Sequence, residues 1–220
     1  SELSKIKDTD YLSISAAIRA RETRLLTRER MERMVDARTG EESAKVLSEC
    51  GYPELSALTN RSLDEMLSQA RAALYRELKG AVPDPRLVEV FQMKYDYHNA
   101  KTLVKAAAVG VQADRLLMEG GRWSAAQIKE DFQRDSLRDF TETFRQAVSQ
   151  ARETLNAGGD PQLADFVLDR ACFAEMAAAA DAAGSEFLRG YVRLLVDAAN
   201  LRSAVRAARM GKESDFLVQV

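Results

Sequence analysis

A stretch near the middle of the chain returns, with changes, near its end. Residues 95–110 read YDYHNAKTLVKAAAVG and residues 196–211 read VDAANLRSAVRAARMG, so both fit D-x-x-N-x-[KR]-x-x-V-[KR]-A-A-x-x-G at a constant spacing of 101 residues. This shared frame, which recurs with similar helix signals around it, indicates an internal duplication. Its polar, basic and glycine positions are Asp96, Asn99, Lys101, Lys105 and Gly110 in the first copy, and Asp197, Asn200, Arg202, Arg206 and Gly211 in the second.

The rest of the sequence is typical of a chain of capped helices. Proline is scarce, with 4 residues in 220, and Ala, Leu, Glu and Arg, all strong helix formers, dominate. N-terminal capping signals begin at Thr39, Ser62 and Ser124, and an Asp-Pro pair occurs at 84–85 and at 160–161. Glycines mark expected helix ends at 51, 80, 110, 158 and 211. These signals predict an all-α fold with helices at about 10–24, 28–37, 40–50, 63–79, 85–109, 125–132, 136–157, 161–183 and 186–210.

The repeat also predicts how the chain is divided. We expect tandem homologous helical-bundle units, the first at residues 1–115 and the second at residues 116–220. The seam falls at Gly120-Gly121, after a short connection that starts at Gly110.

Inside the frame, an asparagine interrupts an apolar stripe. Asn99 follows Val88, Phe91 and Tyr95 at helical spacing, and Asn200 follows Val192 and Val196 in the same way. A buried asparagine needs hydrogen-bond partners, and we expect it to act as a structural polar pin that fixes which helix packs where. Asp96 and Asp197 lie beside it and are expected to accept from the N–H of a neighbouring helix or from an arginine, while the basic residues favour the negative end of the helix dipole.

Composition excludes several classes of function. Lys plus Arg (32) nearly balances Asp plus Glu (34), so the whole-chain charge argues neither for a nucleic-acid partner nor for a strongly anionic surface as partner. A basic ridge at Arg202, Arg206, Arg209 and Lys212 lacks the interleaved aromatic residues of a nucleic-acid reader. Cys50 and Cys172 share no metal-type spacing and are expected to be buried thiols.

Catalytic signals are equally weak. The chain has one histidine, His98, and Asp96 lies two residues away, off its helix face. A phosphate-binding loop of the form GxxxxGK[ST] does not occur in the sequence. We therefore expect no catalytic residue, no cofactor, no metal and no small-molecule substrate, although a helical enzyme using Asp96 and His98 stays open as an alternative.

Three stretches resemble a known family. YLSISAAIRARETRLLTRERMERMVDA at 11–37, ECGYPEL at 49–55 and FQMKYDYHNAKTLVKAAAVG at 91–110 are similar to the C subunit of V-type and A-type ATP synthases and ATPases, the counterpart of the vacuolar d subunit. The resemblance runs over essentially the whole chain.

The resemblance implies three similar helical units arranged as a funnel-like socket. Such a protein is non-catalytic, lies peripherally on the cytoplasmic face of the membrane, and joins the central stalk (subunits of D and F type) to the proteolipid ring. It transmits torque during ATP-coupled proton or sodium ion transport. This chain carries two of the expected three units and stops at SDFLVQV, so the third is expected to be absent or truncated. The alternative is a general two-unit helical scaffold for protein–protein interaction.

Overall fold

The computed structural model describes residues 6–55 and 59–211, and helices dominate both ranges. Within these ranges the chain forms no β-strand, so the predicted all-α class is confirmed. Over the same residues, every helix is too short or too polar to cross a bilayer. The helices are α1 Leu12–Glu22, α2 Arg28–Asp36, α3 Gly40–Glu49, α4 Asn60–Ala81, α5 Arg86–Val109, α6 Ala125–Gln133, α7 Glu142–Asn156, α8 Pro161–Ala182 and α9 Glu186–Arg209.

Several helix starts follow the predicted capping chemistry. The Thr39 hydroxyl accepts from the backbone N–H of Glu42 at 3.2 Å, which begins α3. The Ser124 hydroxyl accepts from Gln127 at 3.1 Å at the start of α6. Asp160 caps α8, and Pro161 occupies its first turn. Local hydrogen bonding therefore fixes these boundaries where the sequence predicts them.

Three predicted boundaries are wrong. Helix α4 begins three residues earlier than Ser62 would place it, because Thr59 is the cap and accepts from the Ser62 N–H at 3.0 Å. Gly80 lies inside α4 and does not end it. Helix α7, expected from residue 136, starts only after Thr141, whose hydroxyl caps it by accepting from the Phe144 N–H at 3.3 Å.

The chain divides into two compact units, Ser1–Pro85 and Arg86–Val220. The first contains α1–α4 and has a small set of buried apolar residues, Ile14, Val46, Cys50 and Met66. Helix α2 packs against α3. There the Arg33 guanidinium donates to both carboxylate oxygens of Glu49, each at 2.8 Å.

The second unit is built around α5. Helix α8 packs along α5 and α7, α6 and α7 also pack against α5, and α9 packs on α8. Because α5 is covered from several directions, its buried residues are not confined to the predicted apolar stripe. Cys172 on α8 is a buried free thiol, as is Cys50 in the first unit, which confirms the expected packing role. The core comprises, among others, Val90, Met93, Tyr97, Ile128, Phe144, Val148, Leu168 and Met176.

The compact units and the proposed repeat units have different boundaries. Helix α5 belongs to the second compact unit because it packs against the helices that follow it in the chain. The boundaries 1–115 and 116–220 describe a duplication of sequence, and that duplication stays a prediction.

Candidate functional site

The polar residues of the first frame copy form the centre of a buried cluster. Asp96 is fully buried. Its Oδ2 atom accepts from the Arg122 Nε at 2.6 Å, and its Oδ1 atom accepts from the Arg122 backbone N–H at 3.0 Å. Arg122 lies in the connection between α5 and α6, so this pair attaches the connection to the middle of α5. The predicted arginine partner is confirmed for Asp96, whereas its backbone N–H partner comes from the connection and not from a neighbouring helix.

Two glycines make this close approach possible. Gly120 has a φ of 106°, a conformation that side chains disfavour. At Gly121 an added Cβ would overlap the Oδ1 atom of Asp96. The backbone can therefore reach the carboxylate only because neither residue carries a side chain.

Arg122 also links this pair to α8. Its two terminal nitrogens donate to the carboxylate of Glu175 at 2.9 and 3.3 Å. The Tyr97 hydroxyl, one helical position from Asp96, donates to Glu175 Oε2 at 2.8 Å. The guanidinium also stacks over the Trp123 ring, 4.3 Å from its centroid. The cluster thus joins α5, the connection and α8 through one arginine.

Further polar side chains of α5 hold the connection along its length. Asn99 is fully buried; its Nδ2 donates to the Met118 carbonyl and its Oδ1 accepts from the Met118 N–H, both at 2.8 Å. The Gln92 amide donates to the Gly121 carbonyl at 2.8 Å. Asn99 is therefore a polar pin, as predicted, but it holds a connection and not a neighbouring helix.

The two lysines of the frame face α8. Lys101 forms an ion pair with Asp169, and Lys105 Nζ lies 3.0 Å from the carboxylate of Asp165. Neither lysine lies in the last turn of α5, where the helix dipole acts, so the prediction that they serve its negative end is wrong. A carboxylate on a packed helix is the stronger partner because the charges meet directly.

Burial and pairing set the ionisation of the cluster. Burial raises the pKa of Asp96 from 3.8 to about 6, although Arg122 and the backbone N–H groups of Arg122 and Trp123 act in the opposite direction. Burial also pushes the pKa of Glu175 upward, but the hydrogen bonds and charge of Arg122 bring it below its ordinary value. Burial, with the nearby Glu175, raises the pKa of Tyr97. At neutral pH the arginine therefore lies between two carboxylates.

Asp96 and His98 are not brought together. Asp96 is bound by Arg122, whereas the His98 Nε2 lies 2.9 Å from the Leu116 carbonyl oxygen, which accepts a hydrogen bond from it. Among the described residues no group of three or more His, Cys, Asp or Glu side chains could hold a metal ion. The charged groups of this cluster form ion pairs with one another. The arrangement therefore serves to hold the helices in position.

The second copy of the frame lies in a different environment. Asp197, Asn200, Arg202 and Arg206 on α9 are all exposed, so the predicted burial of Asn200 is wrong. Gly211 ends this copy with a φ of 64°, close to the 69° of Gly110. Lys212, the last residue of the predicted basic ridge, lies outside the described residues.

Sequence reasoning missed Arg122, Glu175, Tyr97 and Gln92. The available signal was the run Gly120-Gly121-Arg122-Trp123, in which two glycines precede a cation and an aromatic ring. Such a run allows the backbone to approach a buried group closely and then supplies a cation beside it. Glu175, on α8, gives no comparable local signal.

Comparison with known proteins gives three matches. The model of a family described as ATP synthase (C/AC39) subunit matches residues 14–220. The C subunit of the V-type sodium ATPase of Enterococcus hirae is 23% identical over 212 residues, covering 96% of this chain and 65% of that protein. The C subunit of the A-type ATP synthase of Methanocaldococcus jannaschii is 23% identical over 233 residues, covering 94% of this chain and 56% of that protein. The chain thus spans less than two thirds of either relative.

Proposed function

The chain belongs to the ATP synthase (C/AC39) subunit family, and from that membership we propose that it is a coupling subunit of a rotary V/A-type ATPase. In this role it is non-catalytic and links the central stalk, with subunits of D and F type, to the membrane proteolipid ring. It transmits torque during ATP-coupled proton or sodium ion transport. It lies peripherally on the cytoplasmic face of the membrane as part of the complex. The family match over residues 14–220 carries this proposal.

The bonds that hold α5 to two different segments support a mechanical role. A part that passes torque must resist twisting, and side chains held by several partners at once resist it better than single contacts. Helix α5 is tied to α8 by Tyr97, Lys101 and Lys105. It is tied to the following connection by Asp96 and Asn99. These bonds act on opposite sides of one long helix.

Binding measurements test the assignment directly. The chain is assayed by surface plasmon resonance against the purified stalk pair of D and F type, and separately against the proteolipid ring in nanodiscs. We expect binding to both, and a helical bundle protein of similar size and charge serves as the control. Failure of the full natural protein to bind either partner would overturn the proposal. Binding to unrelated proteins alone would favour the general scaffold.

The torque role has its own test. In the assembled complex, Lys101→Ala and Lys105→Ala remove the ion pairs between α5 and α8. We expect fewer ions transported per ATP hydrolysed, with the ATP hydrolysis rate retained. Lys94→Ala is the matched control, because Lys94 is exposed on the same helix. An unchanged ratio in both lysine variants would argue against the proposed stiffening by these pairs.

A further inference from the structure

One side of α9 carries large apolar side chains that are open to solvent. Phe187, Leu194 and Leu201 follow one another at intervals of seven residues and are 74%, 67% and 66% exposed. Val205, four residues after Leu201, is 44% exposed. Side chains at these spacings lie on one side of a helix, and we call the four residues the α9 stripe. Val192, on the other side of the helix, is buried in the core.

The spacing within the α9 stripe is that of a surface that meets another helix. In a coiled coil, apolar residues recur with a seven-residue period and insert into gaps on the facing helix. Gly190 and Ala198 lie exposed between the large residues of the stripe. At Gly190 even an added methyl group would have no atom within 4 Å. The stripe thus offers both the projecting side chains and the gaps that an apolar helix face fits.

Arginines that lack an ion-pair partner lie beside the stripe. Arg202 and Arg209 border it on one edge, with Arg206 next to them, and all three are exposed. Over the part of the chain that the structure describes, none of the three pairs with a carboxylate. Arg189, near the start of the same helix, forms two ion pairs. The C-terminal half of α9 therefore carries positive charge that the described residues leave unmatched.

These charges favour a partner of opposite sign over a second copy of the chain. The acidic residues of α9 are Glu186 and Asp197, and Glu186 is already paired with Arg189. A second copy would add the same excess of arginines and only Asp197 to offset it, and like charges across an interface repel. The charges also disfavour an anionic membrane, because exposed Asp197 beside the stripe would face the anionic headgroups.

We propose that the α9 stripe binds an amphipathic helix of another protein, whose apolar face is bordered by aspartate or glutamate. The apolar face of that helix covers Leu194 and Leu201, and its carboxylates pair with the arginines at the edge of the stripe. Burial of the large side chains supplies most of the affinity, and the ion pairs select an acidic partner. The proposal concerns the surface of α9 alone and stands whether or not the coupling role holds.

A designed peptide tests this preference. The probe is a fluorescein-labelled helix of about four heptads with leucine at the core positions and glutamate at the flanking positions. A second peptide carries lysine in place of glutamate. Fluorescence anisotropy with the 220-residue chain is expected to show the acidic peptide binding about tenfold more tightly than the basic one, with an affinity that falls as salt is added.

Two substitutions locate the binding on α9. Leu201→Ala should weaken the acidic peptide about tenfold, and its matched control is Leu116→Ala, because Leu116 is also 66% exposed but lies outside α9. Arg202→Glu should weaken the acidic peptide and strengthen the basic one, each by about fivefold. Arg138→Glu makes the same change of charge at an exposed arginine away from α9. Both control variants should bind like the wild type.

Several results would overturn the proposal. Equal binding of the two peptides, or equal effects of the α9 variants and their controls, would remove the acidic helix as the occupant. A dimer that Leu201→Ala dissociates in analytical ultracentrifugation would assign the stripe to a second copy of the chain. Binding to phosphatidylserine vesicles without binding to the acidic peptide would assign it to a membrane. If the full natural protein did not bind the peptide although the 220-residue chain did, the stripe would be covered within the natural protein.

Discussion

Asp96 and Arg122 form an ion pair that is almost completely removed from solvent, with side-chain exposures of 0% and 8%. Both carboxylate oxygens are used, one by the guanidinium and one by the backbone N–H of the same arginine. Arg122 also binds Glu175, so one cation serves two carboxylates from two helices. Removing the cation would leave these two carboxylates without a counter-charge.

We expect Arg122→Met to lower the free energy of unfolding by about 3–5 kcal/mol, the usual cost of breaking a buried ion pair from one side. Urea unfolding followed by tryptophan fluorescence measures this change. Trp123 is the only tryptophan in the sequence, and its ring centroid lies 4.7 Å from that of Phe140. Its fluorescence therefore reports on this part of the fold.

Arg134→Met is the control for the arginine substitution. Arg134 pairs with Glu130 on the surface, with exposures of 69% and 56%, and its loss should change the unfolding free energy by at most about 0.5 kcal/mol. If the two variants were equally stable, the buried pair would not hold the connection as the structure indicates.

The ionisation of Asp96 predicts a pH dependence. Its pKa is about 6 in the folded protein against an ordinary 3.8, so the folded state binds the proton more tightly than the unfolded chain. The resulting stabilisation is fully present below the unfolded pKa and is lost as the pH rises through about 6. The wild type should therefore gain up to about 3 kcal/mol relative to Asp96→Asn between neutral pH and pH 4.

Urea unfolding of both proteins across that pH range measures the difference. Carboxylates other than Asp96 titrate in both proteins, so the comparison isolates this residue. A stability difference that did not vary with pH would mean that the charge of Arg122 cancels the effect of burial on Asp96, and a wild type that lost stability relative to Asp96→Asn toward pH 4 would mean that the charge outweighs it.

The sequence predicts local features of this fold well. Helix caps at Thr39, Ser124 and Asp160 are short-range hydrogen bonds, and residues next to one another determine them. Asn99 was identifiable because a polar residue interrupts an apolar helical pattern. The start of α7 was not, since the sequence offers hydroxyl side chains at both Ser136 and Thr141 and the structure uses Thr141 as the cap.

The sequence alone does not identify partners that are far apart in the chain. Arg122 and Glu175 are 53 residues apart, and no local pattern connects them. The difference between the two frame copies has the same origin. Asn99 and Asn200 occupy matching positions, but only the first is buried, because burial depends on which segment covers the helix.

Gly121→Ala should destabilise the protein by about 1–3 kcal/mol, the typical cost of overpacking. The added methyl group would displace the Asp96 carboxylate from its bond with the Arg122 N–H. Gly190→Ala is the opposite case, because Gly190 lies inside α9 with no atom within 4 Å of the added methyl group. That substitution should stabilise the protein by about 0.5–1 kcal/mol. Thermal unfolding shows whether each variant is less or more stable than the wild type. If Gly121→Ala left the stability unchanged, the close approach of Gly121 to the Asp96 carboxylate would be contradicted.

The two asparagines of the frame give the last prediction. Asn99→Ala leaves the N–H and carbonyl of Met118 without their buried partner, and an unsatisfied buried polar group costs about 1–3 kcal/mol. Asn200→Ala, at the matching position on α9, is exposed and should change global stability by at most about 0.5 kcal/mol. Urea unfolding of both variants decides the matter: equal losses would show that the two frame copies are equally buried in solution, against the environments described for α5 and α9.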